Sequence, residues 1–307
     1  MKNPNYWKDH YTVETGADEI ERNLKLTSFT SEGKNFELIY FSARGVEKDK
    51  GVPNILISQG SGGHAYVFAE LGYLMHFKGY NVFIMPKHGG YTITELVERH
   101  RDALMHIACN FNERIGVFAE GLGGFAVFYL ALADNLFKSA IYQNSPGLLT
   151  EKKFQNAIIR GRRKMLMPFA RFIFRISPQI KLPLSSYLDW KELIDTKEPS
   201  RTIESRLVVD GYLQDPEFDT RYPLSAILSL LYTPPPQQLS ELHTPTMFMV
   251  AVRGFGGSAY VNYLKDLYDR LPPIKKKMIE IDGSVYWMLS HPKEAAEIIC
   301  EWFDKTL

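Results

Sequence analysis

The stretch Val117-Phe118-Ala119-Glu120-Gly121-Leu122-Gly123-Gly124 constrains the fold of this chain more than any other. An apolar run of strand length, Arg114 to Ala119, passes through a glycine-rich turn. It leaves as the apolar helical stretch Phe125 to Ala133. Neither segment has a polar face, so strand and helix are both expected inside a core. Strands of this continuous kind belong to parallel sheets covered on both sides.

The same alternation recurs along the chain. Leu24 to Thr30 and Phe36 to Phe41, joined through Ser31-Glu32-Gly33-Lys34, read as an antiparallel hairpin. Asn54 to Ser58 and Asn81 to Met85 are further strands, and Ala65 to Lys78 and Thr94 to Cys109 are helical. Ser139 to Gln143, Thr246 to Val252 and Lys277 to Ile281 complete the strands, with helices over Ser258 to Leu271 and Pro292 to Lys305. Between residues 150 and 235 strand signals are few and helical ones many, broken by Pro168, Pro178, Pro183 and Pro199. This order predicts an α/β protein with a mostly parallel central sheet and helices on both faces. Its core comprises residues 1–149 and 236–307, and 150–235 form a helical cap insertion.

Composition excludes several classes. With 36 basic and 35 acidic residues, bulk charge suggests no nucleic-acid partner. The two cysteines, Cys109 and Cys300, do not make a disulfide framework. No apolar run approaches the roughly 18 residues of a membrane span, and a soluble cytoplasmic protein is expected. No His/Cys/Asp cluster has metal-ligand spacing, and the glycine-rich loops lack both the Walker lysine and the full dinucleotide pattern, so no cofactor or metal is expected.

Several segments together resemble the α/β-hydrolase superfamily, above all its monoglyceride-lipase and lysophospholipase-like serine hydrolases. Ala119-Glu120-Gly121-Leu122-Gly123 is similar to the G-x-S-x-G nucleophile elbow, and Gln59-Gly60-Ser61-Gly62 to the H-G-x-G oxyanion loop. Lys87-His88-Gly89-Gly90-Tyr91-Thr92 resembles the turn after the next strand, and Asp215-Pro216 with Arg221 a D-P-x motif of the cap. Leu242 to Val252 is similar to the strand leading to the catalytic acid. Gly283-Ser284-Val285-Tyr286-Trp287 followed by His291-Pro292 resembles the segment that carries the histidine. The resemblance implies the α/β-hydrolase fold with a cap that shapes an apolar pocket.

Carried over residue by residue, the triad is missing. The serine position is Gly121, the acid position Gly254 and the base position Tyr286, or Val285 when counted from His291-Pro292. Asn144-Ser145, where an acid is sometimes supplied, offers none. A serine attacks only when a base takes its proton and a third group holds that base. Losing these groups costs on the order of a millionfold in rate, and a phenol with a pKa of about 10 is a poor base at neutral pH. The reading is a pseudoenzyme that binds a small apolar, carboxyl- or carbonyl-bearing ligand, or a partner, under the cap.

The backbone amides of Ser61 and Leu122 would form an anion notch at a helix N-terminus. Gly60, Gly62, Glu120, Ser145 and Tyr286 are the other candidate pocket residues, Ser145 lying at a strand end where open α/β sheets bind ligands. Glu120 either makes structural hydrogen bonds or serves, with His64 or Tyr286, as an acid or base facing the ligand. His88 belongs to its turn, Asp282 is structural, and His291 is placed to cap a helix. The alternatives are an active hydrolase of carboxylic-ester or lipid type, or a repurposed acid/base enzyme. In the cap, Arg160, Lys164, Arg171 and Arg175 share one helical face, either solvated or in contact with an anionic membrane surface or acidic partner.

Overall fold

A computed structural model describes residues 11–43, 51–158, 173–183, 221–253 and 257–307. The strands are β1 (Lys25–Ser31), β2 (Lys34–Phe41), β3 (Asn54–Ser58), β4 (Asn81–Ile84), β5 (Ile115–Glu120), β6 (Ser139–Gln143), β7 (Lys181–Pro183), β8 (Arg221–Pro223), β9 (Thr246–Ala251) and β10 (Lys276–Ile281). Eight of them form one sheet in the order β1-β2-β4-β3-β5-β6-β9-β10. The hairpin joins it antiparallel through β2 and β4, and every pairing from β4 to β10 is parallel.

Local chemistry sets these elements. Glu32 (φ 48°) and Gly33 (φ 72°) make the two-residue turn between β1 and β2. Positive φ at both central residues is the turn whose twist suits a hairpin. Its register sets Phe29 opposite Phe36. β3, β4, β5, β6 and β9 are buried along their whole length, as strands covered on both faces must be. Helix α1 (Ala17–Asn23) precedes the hairpin. After β3 a 3-10 turn over Ala65–Phe68 leads into α2 (Ala69–His76), so the stretch read as one helix is two pieces. Helix α3 (Ile93–Asn110) starts at a capping box in which Thr92 and Glu95 bind each other's backbone amides.

Helix α4 (Gly121–Ala133) begins where β5 ends, with no loop between them. The chain passes from β3 to β4 on one side and then crosses to β5 on the other. The strand order therefore reverses between β3 and β5, the place where open α/β sheets leave a crevice at their carboxyl ends. Both the glycine loop and the turn at Gly121 lie there.

The long insertion between β6 and β9 includes α5 (Lys152–Ile158) and α6 (Leu224–Tyr232). It also contains β7 and β8, an antiparallel pair that helical periodicity did not foretell. These are three-residue strands whose pairing is nonlocal, so a short sequence window carries no signal of them. Helices α7 (Gly257–Arg270), α8 (Trp287–Ser290) and α9 (Pro292–Asp304) complete the described α-helices. Arg160, Lys164 and Arg171 of the basic face lie outside the described residues; Arg175 is exposed. Among the described residues no helix is long and apolar enough to cross a membrane.

Candidate functional site

Gly121 takes φ +49°, in the left-handed region that a side chain disfavours. This is the bend that lets a strand turn at once into a helix. A Cβ built on Gly121 would meet only the Gly60 Cα, at 3.2 Å, so the glycine loop forms the opposite wall. Packing demands glycine at the next small positions too. A Cβ on Gly123 would overlap the Ser58 hydroxyl, and one on Gly124 the Ser145 hydroxyl. The Gly123 N–H donates to Gln59 O at 3.1 Å, which ties the bend to the end of β3.

Glu120, the last residue of β5, turns its carboxyl across to β3, where the Gly60 N–H donates to Oε2 at 2.6 Å. A Cβ on Gly60 would lie 2.5 Å from that oxygen, so only glycine allows this approach. Burial pushes the carboxyl up to about 7, against the smaller opposing effect of the Gly60 hydrogen bond. The neighbouring Gly62 N–H donates to the Tyr222 hydroxyl, at 2.7 Å, from β8 in the insertion. Two amides of the glycine loop are thus engaged from within the protein. The expected notch rests on the remaining pair, Ser61 and Leu122.

The other expected residues are distributed as follows. Tyr286 is buried, its N–H bonded to the Ser284 hydroxyl at 3.0 Å. Gly254 lies outside the described residues. His64 is buried with its ring edge-on to Tyr11, at 5.3 Å between centroids, and also against Tyr66. Ser145 is fully buried, its hydroxyl donating to Gln143 O at 3.1 Å and packed closely against Gly124 of α4. Asn144 (φ 42°) braces β6 against β9, with its side-chain oxygen and nitrogen bonded to Ala251 N and O. Asp282 pairs with Arg253 at 3.1 Å. His291 stands at the start of α9, but its side chain makes no capping bond; it stacks on Trp287 and meets the Ser290 hydroxyl.

A serine–histidine cluster that sequence spacing did not reveal lies beneath the bend. Ser58 Oγ is 2.6 Å from His100 Nε2 and 3.0 Å from His88 Nε2, and all three residues are fully buried. His100 Nδ1 lies 2.6 Å from Leu96 O, and a carbonyl only accepts, so that nitrogen carries the proton. Burial holds both imidazoles well below their usual range, His100 at about 4, and both are therefore neutral at pH 7. The Ser58 hydroxyl must then donate to His100 Nε2 and accept from His88 Nε2. The serine has a base but is fully buried, and among the described residues a backbone carbonyl, Leu96 O, rather than a carboxylate orients that base. Arg99 lies beside it, its guanidinium 4.1 Å from the rings of both Phe36 and Tyr91.

Among the described residues no group of three His, Cys, Asp or Glu side chains is placed to hold a metal ion. No family profile matches the sequence. No curated protein sequence matches it either. Solved structures do match. A hypothetical protein from Pseudomonas aeruginosa superposes with a TM-score of 0.71 at 13% identity, over 98% of this chain and 97% of that one. A soluble variant of monoglyceride lipase from Saccharomyces cerevisiae, in complex with a substrate analogue, gives 0.69 at 13% identity, over 97% and 98%. A thermostable carboxyl esterase from Bacillus coagulans gives 0.66 at 14% identity, over 92% and 98%.

Proposed function

We propose, for a chain that has the α/β-hydrolase fold, that it binds a small ligand in the crevice between β3 and β5 without hydrolysing it. The observation that carries this reading is Gly121. The bend that would present a nucleophile presents hydrogen alone, and the residue at the base position is Tyr286. Ser58 has histidine partners but is sealed under α4. The Ser290 hydroxyl donates to Trp287 O at 3.1 Å and lies beside His291 Nδ1 within α8 and the start of α9. The ligand is mainly apolar and carries a carbonyl or carboxyl group toward the Ser61 and Leu122 amides. Residues 150–235 act as the cap over it, and Tyr222 is the cap residue that grips the glycine loop. Its location on this reading is the cytoplasm, in keeping with two free cysteines.

The test is labelling of the purified protein with a serine-directed fluorophosphonate, followed by peptide mapping, beside turnover of short-chain and monoacyl esters. No adduct and no turnover above a heat-killed control are expected. An adduct on Ser58 or any other serine, together with turnover, would establish the alternative of an active hydrolase. A second reading, acid/base chemistry by Glu120, is favoured by its carboxyl standing at about 7. The structure holds that carboxyl on Gly60 and His64 against Tyr11.

A further inference from the structure

Three polar side chains stand in a row at the carboxyl edge of the sheet. Glu120 is opposite Gln143 in the register of β5 and β6. Ser58 is opposite Ala119 in that of β3 and β5, so Gln59 follows one place on. Adjacent strands lie about 4.8 Å apart, and alternation places Gln59, Glu120 and Gln143 on the face away from Ser58, Ala119 and Tyr142. Helix α4 covers that other face, where Phe128 meets the Tyr142 ring. The segment Val285–Met288 covers this one.

Both glutamine amides have a settled orientation. Gln59 Nε2 donates to Met85 O and Pro86 O, each at 2.9 Å. Gln143 Nε2 donates to Val285 O at 3.0 Å and contacts Met288 Sδ at 3.1 Å. Turning either amide over would set oxygen against a carbonyl oxygen. Their oxygens, Gln59 Oε1 and Gln143 Oε1, are buried without a hydrogen-bond partner. Glu120 lies on the strand between theirs, with Oε2 on the Gly60 amide and Oε1 as a further oxygen. With Glu120 ionised, the row therefore offers oxygen acceptors only, one of them carrying negative charge.

We propose that the row Gln59–Glu120–Gln143 binds the primary ammonium group of a small ligand, with Glu120 as its counter-charge. An ammonium has three N–H donors and no acceptor, which matches three oxygens of which one is anionic. A hydroxyl supplies one donor, and a carboxylate would be repelled. The inference rests on the reading that the crevice holds a small ligand, and narrows that ligand to an amine-bearing carbonyl compound.

Isothermal titration calorimetry on the full chain with benzylamine and benzyl alcohol tests it. At pH 8 benzylamine should bind at least tenfold more tightly than benzyl alcohol. Benzylamine affinity should fall as pH drops from 8 to 6, since protonating Glu120 removes the counter-charge. Glu120→Gln keeps an oxygen for the Gly60 amide, and should lose at least tenfold in benzylamine affinity together with the pH dependence. Benzylamine binding no tighter than benzyl alcohol would mean that the row holds ordered water only, and would overturn the proposal. So would binding unchanged by Glu120→Gln, which would place the amine elsewhere. If that variant does not fold, a flat pH profile in the wild-type protein overturns it equally. A serine adduct in the labelling experiment would instead sink the reading of a catalytically silent crevice while leaving a positive amine result in place.

Discussion

Replacing Glu120 by Gln should stabilise the protein at alkaline pH and do little in acid. The carboxyl titrates at 4.5 in an ordinary setting and at about 7 in the fold. A tenfold change in proton affinity is worth about 1.4 kcal/mol. At pH 8 the folded state thus pays about 3 kcal/mol to keep Glu120 ionised in its buried place, and at pH 5 less than about 1 kcal/mol. The sign follows from proton counts. Between 4.5 and 7 the native state binds more protons than the unfolded chain, so this contribution to stability is lost as pH rises. Glutamine does not titrate and accepts the Gly60 N–H through its oxygen. Urea unfolding of both proteins at pH 5, 6.5 and 8, followed by tryptophan fluorescence, measures the difference. His88 and His100 impose an opposite slope on each protein below pH 6.5, which cancels in the subtraction. The variant should gain about 2–3 kcal/mol relative to wild type between pH 5 and pH 8. A difference that stays flat across this range would refute the account of Glu120 as a carboxyl whose charged form is destabilised by burial.

Two further outcomes follow from the buried basic cluster. Because the His100 imidazole is held at about 4, wild-type stability should decline as pH falls from 6.5 toward 4, and His100→Asn should flatten that decline in acid unfolding curves. Arg99 is a buried cation whose described bonds are two long contacts to Lys87 O, at 3.5 Å, and two aromatic faces. Removing an ion that has no buried counter-ion recovers its desolvation penalty, so Arg99→Met should leave stability within about 1 kcal/mol of wild type or raise it. Arg99→Ala, which opens a gap between Phe36 and Tyr91, should cost about 2–3 kcal/mol. Equal losses in the two variants, measured by urea unfolding, would show that the charge itself holds the site together.

Much of the architecture was legible along the chain because burial on both faces leaves continuous apolar runs. Asn54–Ser58 and Ser139–Gln143 have the bounds read from sequence. The bend at Gly121 was legible for a related reason: a strand that becomes a helix without a loop needs small residues around the turn, here where Ser58 and Ser145 press against α4.

Other features exist only because strands distant in sequence lie side by side. Ser58, His88 and His100 come from a strand end, a loop and a helix, and no spacing rule unites them. Ser145 follows β6, and only the packing of α4 on the sheet sets its hydroxyl on Gln143 O. Tyr222 reaches Gly62 across 160 residues. The identity of each side chain and the period of each element are local properties, and the sequence determined them. Whether Glu120 meets solvent or the Gly60 amide depends on register between β3, β5 and β6. That register is set by the whole core packing at once, so only the tertiary structure could decide it.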